Sequence, residues 1–301
     1  MIDILLATYN GAKYLDVQIA SIVTQTYQNW NLYIHDDGSS DNTVAIIKKW
    51  EKLDSRIHFI DDEAKHLGPG NNFFHLLQFC KSEYICFCDQ DDFWFENKLS
   101  EYIDFISNRD KNIPFCCIFS CYLWNKEYIK PFLHDKAITL SRILFTGGTQ
   151  GCSIVFNHAL LEKAKCLIKN NIYLHDYVIV LLGVLFGGVE YVPMKLMLYR
   201  QHDANVTGNM PKSRMEKFLR AIHNSDKTFI YPKMYDDIKI VYASLKNEIS
   251  IKNLQLIEKY FDIANSPRYI QFWKLLFSNF SIGQHSRLYF MTKFLLRKEY
   301  K

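Results

Sequence analysis

The chain has 301 residues, of which 49% are hydrophobic and 23% are charged. This composition excludes wholesale disorder and provides apolar material for one large domain or two small ones. The longest apolar run, residues 177–189, is too short to span a bilayer. The net charge of +4 is uneven, because residues 209–301 hold 17 Lys and Arg against 8 Asp and Glu. This basic tail predicts an anionic partner, such as a membrane surface or a polyanion.

The eight cysteines show no spacing typical of a metal site. We interpret them as small core residues of a protein in a reducing compartment. The opening sequence MIDILLATYNG lacks the basic residues of a secretory signal. We therefore expect a cytoplasmic protein, with peripheral association at the inner face of the plasma membrane as an alternative.

The first ninety residues alternate short apolar runs with stretches of helical periodicity. Strands are predicted at 2–8, 30–35, 57–60 and 84–88, and helices at 13–25, 42–52 and 71–80. This β-α-β-α order predicts an α/β fold in which helices cover both faces of a parallel sheet. In such sheets, ligands bind beyond the carboxyl ends of the strands.

The next hundred residues are less regular. Strands are predicted at 115–123, within TGGTQGCSIVF and at 189–199, and helices at 158–169 and after YLHDY. Beyond residue 209 the pattern is helical and basic. We therefore predict an α/β domain of residues 1–208 and a helical, basic and aromatic region of residues 209–301.

Polar clusters follow three of the predicted strands: TYNG after the first, DDGSSD after the second and DQDD after the fourth. Carboxylate oxygens suit Mg²⁺ or Mn²⁺, and magnesium usually shares its coordination with waters and substrate phosphates. The acidic cluster of Asp89, Asp91 and Asp92 therefore predicts a site for a metal with a diphosphate. The alternative is a solvated acidic turn in which Asp91 or Asp92 caps a helix.

Three stretches in order, ATYNGAKYLDVQIASIVTQTYQNWNLYIHDDGSSDNT, HLGPGNNFFHLL and YICFCDQDDFWFENKL, resemble the bacterial family 2 glycosyltransferases with the GT-A fold. The resemblance continues through GCSIVFN, LHDY and YRQHDANVTG, and covers about residues 1–208. Within the family it looks most like the rhamnosyltransferase-like branch of O-antigen and capsule enzymes. It implies a Rossmann-like mixed sheet flanked by helices, and an inverting sugar transfer that depends on Mn²⁺ or Mg²⁺.

The resemblance also implies residues that bind the donor, a UDP- or dTDP-linked sugar. Thr8 and Tyr9 would hold the base, Tyr9 through its ring face, and Asp37 would accept the N3 proton of uracil or thymine. Gly68 and Asn72 would lie where the ribose or sugar passes. A turn in DDGSSD explains Asp37 without a ligand, and a loop with a helix cap explains Gly68 and Asn72 equally well.

The family's DxD positions fall on Asp89 and Asp91. Asp89 would touch the ribose or sugar hydroxyls, and Asp91 would bind the metal that bridges the diphosphate. This metal would stabilise the charge that the diphosphate gains as the glycosidic bond breaks. His202 would complete the metal site or contact the diphosphate, and Arg200 would neutralise phosphate.

Asp176 stands at the family's position for the general base, ahead of the apolar helix in LHDYVIVLLGVLFG, where His175 replaces the commoner Glu. A carboxylate beside so apolar a helix is expected to have a raised pKa, which improves it as a base. The alternative is a simple N-cap of that helix. One base without a second nucleophile implies single displacement. Gln150 and Gly151 would line the acceptor or donor-sugar pocket, unless they only form a tight turn.

The expected acceptor is a saccharide, lipid-linked, in the synthesis of a bacterial surface polysaccharide. The aromatic and basic tail is interpreted either as a membrane-interface segment or as a helical packing module. One rival function is that of a nucleotidyltransferase or sugar pyrophosphorylase, although ATYNGAKYL is poor in the glycines of their phosphate loop. The other is nucleic-acid binding by the tail. We expect no nucleic acid as partner, because the three acidic clusters would repel phosphate without a metal.

Overall fold

A computed structural model of the protein describes residues 1–125, 127–132, 138–146, 150–202, 228–280 and 287–298. The chain forms two compact units. The first comprises Met1–His134 and Thr149–Gln201, and the second comprises Asp135–Gly148 and His202–Lys301. The predicted boundary at residue 208 lies outside the described residues, so the division at that position stays a prediction.

The first unit is built on a mixed sheet. Its strands are β1 (Ile2–Thr8), β2 (Trp30–Asp36), β3 (Ile57–Ile60), β4 (Tyr84–Cys88), β5 (Phe93–Trp94), β6 (Phe115–Trp124), β7 (Ile129–Pro131), β8 (Ile154–Asn157) and β9 (Gly188–Arg200). They lie in the order β3-β2-β1-β4-β8-β6-β9-β5, and β7 pairs with β6. Strands β1 to β4 are parallel, whereas β8 runs antiparallel to both β4 and β6.

The helices are divided between the two units. The first unit contains α1 (Ala12–Val23), α2 (Thr43–Leu53), α3 (Gly68–Leu76), α4 (Lys98–Ile106), α6 (His158–Lys165) and α7 (His175–Phe186). The second contains α5 (Leu140–Ile143), α8 (Pro232–Leu245), α9 (Ile251–Ala264), α10 (Arg268–Leu276) and α11 (Arg287–Leu296).

The core of the first unit lies between the sheet and its helices. Six of the seven residues of β1 are buried, a pattern typical of a parallel strand covered on both faces. Helix α1 buries Leu15, Ile19 and Ile22, which recur at helical spacing along one side of the helix. Seven of the eight cysteines are buried, which confirms that they are mainly core residues, and Cys166 is exposed.

The predicted parallel sheet is confirmed for β1 to β4, each of which ends within one residue of its predicted position. The helix predicted at 71–80 instead begins at Gly68, because Pro69 suits a first helical turn and Gly68 adopts a φ of +77°. Strand β5 and helix α4, which follow the acidic cluster, are additional to the predicted elements. They place the segment after Asp92 against the far end of the sheet, beside β9.

The second unit has its own aromatic core. The ring of Phe145 packs against Phe229, Tyr260 and Phe280, with ring centroids 5.0 to 5.4 Å apart. The helical pattern predicted for the tail is confirmed in residues 228–280 and 287–298, and residues 209–227 lie outside the described ranges. Within those ranges, every helix is too short or too polar to cross a lipid bilayer.

Candidate active site

The polar loops after β1, β2 and β4 meet at one edge of the sheet, as predicted. The backbone N–H of Asp37 donates to the Thr8 carbonyl at 2.9 Å, which joins the first two loops. The side chain of Gln90 binds both backbone groups of Tyr9, accepting from its N–H at 2.9 Å and donating to its carbonyl at 3.0 Å. The ring of Tyr9 is 54% exposed, so it is open to a stacking partner.

Two neighbouring aspartates, Asp36 in the last position of β2 and Asp37 just beyond it, bind different segments at this edge. Asp36 accepts hydrogen bonds from the Thr8 hydroxyl at 3.0 Å and from the Ser39 N–H at 2.8 Å. The carboxylate of Asp37 accepts the backbone N–H groups of Leu67 at 2.6 Å and Gly68 at 2.9 Å. Asp37 therefore fixes the start of α3, which is a structural role that the sequence did not indicate. Its predicted contact with a nucleotide base stays a prediction.

The acidic cluster after β4 concentrates negative charge. Asp92 is fully buried, and Asp89 and Asp91 are partly buried. Burial, together with the charge of Asp91, raises the pKa of Asp89 to about 7. The same causes raise the pKa of Asp92 well above its usual range. Three ionised carboxylates are therefore unfavourable here unless positive charge is added.

The alternative reading of this cluster as a solvated, helix-capping turn is wrong. Helix α4 begins at Lys98 and its N-cap residue is Asn97, five positions beyond Asp92. Asp92 is buried, and its Oδ1 accepts the backbone N–H of Arg200 at 3.0 Å. Among the described residues, Asp92 Oδ2 has no hydrogen-bond partner.

A buried lysine lies close to these carboxylates. Lys98 Nζ donates to the Cys152 carbonyl at 2.7 Å and lies 4.0 Å from the centre of the Trp94 ring. Burial lowers the pKa of Lys98, and neighbouring acidic groups, Asp92 among them, oppose that shift. The Cys152 thiol lies within 4.8 Å of carboxylate oxygens of Asp89 and Asp92. The lysine therefore adds a basic group to the buried surroundings of Cys152 and Asp92.

Asp176 lies in the first turn of α7. The helix begins at His175 and its N-cap residue is Leu174, so the prediction of a simple N-cap at Asp176 is wrong in position. Asp176 Oδ1 accepts the Tyr177 N–H at 2.7 Å. Burial raises the pKa of Asp176 to about 6. The charge of Asp176 also contributes to the raised pKa of Asp89, which places the two carboxylates in one electrostatic site.

His175 packs as an aromatic residue beside this carboxylate. Its ring stacks on Phe73 with centroids 3.9 Å apart and meets the ring of Phe87 edge-on at 4.8 Å. Burial lowers the pKa of His175 to about 3, so its ring is neutral at pH 7. A neutral ring does not stabilise the charge of Asp176, which is consistent with the raised pKa of that carboxyl.

The turn from Gln150 to Ser153 closes against α7. A Cβ on Gly151 would lie 2.6 Å from His175 Nε2, so only glycine allows this approach. Within the described part of the chain, Gln150 Oε1, Ser153 Oγ and His175 Nε2 are buried without hydrogen-bond partners. Buried polar atoms normally have partners, so these atoms indicate a place that a polar ligand or water completes. The predicted pocket role of Gln150 remains a prediction.

Arg200 ends β9 and supports the acidic cluster. Its Nε donates to the Asp91 carbonyl at 2.6 Å, and its guanidinium lies 4.6 Å from the Tyr14 ring centre and 4.0 Å from that of Trp124. These contacts position the Asp91 backbone. The predicted neutralisation of phosphate by Arg200 stays a prediction.

The structure gives three other predicted site residues no described contact with the carboxylates of the acidic cluster. Gly68 is the first residue of α3, and its backbone N–H donates a hydrogen bond to the Asp37 carboxylate. Asn72 is 2% exposed, and its side chain bonds to His35, so its described partner is a protein side chain. His202 is the first residue of the long segment of the second unit. Its role as a metal ligand stays a prediction.

Sequence reasoning missed Lys98 and Cys152, which are buried close to the acidic cluster. The signal in the sequence was weak, since a lysine at the start of a helix and a cysteine in an apolar run have ordinary structural explanations. Only the packing of α4 against the turn before β8 reveals their proximity.

Comparisons with known proteins agree with this architecture. The family described as Glycosyl transferase family 2 matches residues 3–163. A dTDP-rhamnosyl transferase, RfbG, of Shigella flexneri is 30% identical over 284 residues, which cover 90% of this chain and 93% of the relative. The Escherichia coli glucosyltransferase WfgD, described as a UDP-Glc:alpha-D-GlcNAc-diphosphoundecaprenol beta-1,3-glucosyltransferase, is 32% identical over 163 residues, or 54% of this chain and 62% of that protein.

The solved structures confirm the predicted fold class. Staphylococcus aureus TarS, residues 1–349 in complex with UDP, superposes with a TM-score of 0.57 at 14% identity, covering 91% of this chain and 78% of that chain. At this level of identity the likeness concerns the fold, which is the GT-A arrangement of a mixed sheet flanked by helices. With the family match over more than half of the chain, it follows that this protein is a glycosyltransferase that belongs to glycosyl transferase family 2.

Proposed function

We propose that the enzyme transfers a sugar from a UDP- or dTDP-linked donor to a lipid-linked saccharide, during synthesis of a bacterial surface polysaccharide. The activities named for its relatives in Shigella flexneri and Escherichia coli support this donor class and this acceptor class. The observation that carries the proposal is the position of Asp176 in the first turn of α7, where it lies beside Gly151 of the turn that leads into β8.

Asp176 would act as the general base. It would take the proton from the acceptor hydroxyl as that oxygen bonds to the anomeric carbon, while the bond from that carbon to the diphosphate breaks on the opposite face. A partly buried carboxylate with a raised pKa suits this step, because it is ionised at neutral pH and yet more basic than an exposed one. Direct displacement would invert the anomeric configuration.

The acidic cluster fits a divalent metal. Asp89, Asp91 and Asp92 present hard oxygen atoms, which Mg²⁺ and Mn²⁺ prefer, and Asp92 Oδ2 lacks a hydrogen-bond partner among the described residues. Asp91 would hold the metal together with the donor diphosphate, and Asp89 would contact hydroxyls of the ribose or sugar. The bound ion would supply Lewis-acid neutralisation of the leaving diphosphate.

The family match favours this function over the pyrophosphorylase and nucleic-acid-binding alternatives. A screen of UDP- and dTDP-linked sugars with Mn²⁺ would test it by measuring release of the nucleoside diphosphate. We expect release from at least one donor, accelerated by a saccharide acceptor. Formation of nucleoside triphosphate and sugar 1-phosphate when pyrophosphate is added would instead support the pyrophosphorylase alternative.

The proposed base contact of Asp37 can be separated from its structural role. Replacing Asp37 with alanine should weaken UDP or dTDP binding by about 1–3 kcal/mol, the usual cost of an unpaired buried polar group. It should also lower the unfolding midpoint, because Leu67 and Gly68 lose their acceptor. Calorimetry with each nucleotide and a thermal melt would measure the two effects. The control is Asp61→Ala, which removes an exposed carboxylate paired with Lys48. A lower midpoint with unchanged affinity would leave Asp37 a purely structural residue.

Membrane association is proposed for the second unit, because a lipid-linked acceptor is presented at a membrane. Tyr269, Trp273 and Phe277 recur every fourth residue along α10 and its C-terminal end, with exposures of 70%, 57% and 77%. Lys259 and Lys274 line the same hollow as Trp273 and Phe277. Exposed aromatic rings beside lysines are typical of surfaces that enter the interface of anionic bilayers.

The double substitution Trp273→Ser and Phe277→Ser should weaken binding to anionic liposomes by about 10-fold or more. Burying one large apolar side chain contributes about 1.5–3 kcal/mol. Because two such side chains are lost, the affinity for the liposomes should fall by more than tenfold. Liposome flotation at low salt would measure it, with Leu53→Ser as the control, since Leu53 is a 67% exposed apolar residue of the first unit. Equal flotation of the double variant and the wild type would favour the packing-module interpretation.

A further inference from the structure

A second cluster of potential metal ligands lies at the carboxyl end of β2, built from His35, Asp62 and His75. His35 is the buried penultimate residue of β2, Asp62 lies in the loop between β3 and α3, and His75 is in the last turn of α3. One nitrogen or oxygen atom from each lies within 4.8 Å of the others. Three separate elements therefore converge on one point outside the acidic cluster.

The hydrogen bonds of His35 fix its protonation pattern. Asn72 Nδ2 donates to the His35 carbonyl at 3.4 Å, which turns Asn72 Oδ1 toward the ring. That oxygen lies 2.7 Å from His35 Nδ1, so Nδ1 carries a proton and donates it. In a neutral ring, Nε2 then has a lone pair, and it faces the Asp62 Oδ1 atom at 3.3 Å. Two electron-rich atoms at this distance repel one another unless a cation lies between them, either a second ring proton on Nε2 or a metal ion.

The structure assigns this cation as a transition metal of the zinc class, bound by His35 Nε2, Asp62 and His75 Nε2. A histidine that binds metal usually donates its other ring N–H to a carbonyl, as His35 does to Asn72. Ligands at about 2.0–2.1 Å from a tetrahedral zinc lie about 3.3–3.4 Å apart, close to the His35–Asp62 separation. Imidazole and carboxylate ligands suit this class of ion.

The site is accessible to an ion from solvent. His35 is fully buried, whereas the side chains of His75 and Asp62 are 19% and 36% exposed. His75 Nε2 lies 2.8 Å from Asp62 Oδ2, and Gln78 bonds to His75 Nδ1. Metal binding would move the ring proton of His75 from Nε2 to Nδ1. The exposed amide of Gln78 can rotate so that its carbonyl oxygen accepts that proton. A water would fill the fourth position.

A metal here would tie β2, the loop after β3 and α3 together. The same loop leads to Leu67 and Gly68, whose N–H groups bind Asp37. The ion would therefore stabilise the segment that positions Asp37, without taking part in the transfer. This inference does not depend on the donor, the acceptor or the general base proposed above.

Calorimetric titration of the tag-free, chelator-stripped full chain with Zn²⁺ would test the assignment, together with the visible spectrum of the Co²⁺ form. To remove binding at the acidic cluster, the titration uses an Asp91→Asn background. We expect one Zn²⁺ per chain, a rise in the unfolding midpoint, and an intense Co²⁺ spectrum of tetrahedral type. His75→Gln should lower Zn²⁺ affinity by more than about 100-fold, beyond the effect of losing an outer-shell partner.

His58→Gln is the matched control, because His58 lies on β3, stacks on Tyr33 and is not one of the three side chains that converge. It should keep the Zn²⁺ affinity and the Co²⁺ spectrum of the parent. Equal affinity in His75→Gln and its parent would overturn the assignment. The assignment would also be overturned if the chain bound no Zn²⁺ and ¹⁵N NMR showed both ring nitrogens of His35 protonated. The cation between His35 and Asp62 would then be a proton.

Discussion

Replacing Asp176 with asparagine should lower kcat by roughly 10²–10⁴-fold, the usual contribution of a positioned general base. The amide has nearly the same size, and its oxygen can still accept the Tyr177 N–H at the start of α7. It cannot accept the proton of the acceptor hydroxyl as a carboxylate does. Donor affinity should stay close to the wild-type value, because the nucleotide contacts are proposed for other residues.

The stability of this variant gives an independent check. Burial raises the pKa of Asp176 to about 6, above the ordinary value of 3.8, so the folded state disfavours its ionised form. Ionisation of Asp176 therefore lowers the free energy of unfolding. This effect is absent below pH 3.8 and grows as the pH rises through 6. A neutral asparagine avoids this cost, so the variant should be at least as stable as the wild type at pH 7. The melting temperature would measure it.

The pH profile of the wild type follows from the same pKa. As the pH falls through about 6, Asp176 takes up a proton and can no longer serve as base, so kcat should fall. Asp176→Asn should lose this acid limb while retaining its low residual rate. Asp104→Asn, an exposed aspartate on α4, should behave as the wild type throughout. Unchanged kcat in Asp176→Asn, where chemistry limits the rate, would show that the base lies elsewhere.

Replacing Asp91 with asparagine should reduce transfer by about 10³-fold or more, since a Lewis acid contributes several kcal/mol of charge stabilisation at the leaving group. The fold should persist, because Arg200 binds the Asp91 backbone carbonyl, which the substitution preserves. The apparent affinity for Mn²⁺ in the presence of the nucleoside diphosphate should fall together with activity. Titrating Mn²⁺ against initial rate would measure both effects.

A chelator should reproduce the Asp91 defect in the wild type, and Mn²⁺ or Mg²⁺ should reverse it. Glu96→Gln is the matched control, because Glu96 is an exposed acid just beyond the cluster. It should retain full activity and the wild-type Mn²⁺ dependence. Full transfer by the wild type in excess chelator would exclude a catalytic metal at Asp91.

The first half of the fold and its polar edge were predictable from local patterns. Strands β1 to β4 are short apolar runs separated by helical periodicity, and parallel strands bring their carboxyl ends to one edge. That rule alone places Thr8, Asp37 and Asp89 together. The interpretation of the cysteines followed equally simply from their apolar neighbours.

The rest depends on long-range packing that no local pattern encodes. Lys98 would be read as an exposed helical residue, yet it is buried against Cys152, 54 positions away. The carboxylate of Asp37 binds N–H groups 30 residues later, because α3 begins earlier than its apolar pattern indicates. The role of His35 likewise requires the position of Asp62, which only the loop after β3 determines.

The anomeric configuration of the product distinguishes a single displacement, in which Asp176 activates the acceptor, from every two-step mechanism. The wild-type enzyme would be given its donor and acceptor, and the new anomeric signal would be followed by proton NMR from the first turnover. We expect a product whose configuration is opposite to that of the donor, formed far more slowly by Asp176→Asn. A product that retains the donor configuration would contradict direct displacement and require a covalent or front-face mechanism.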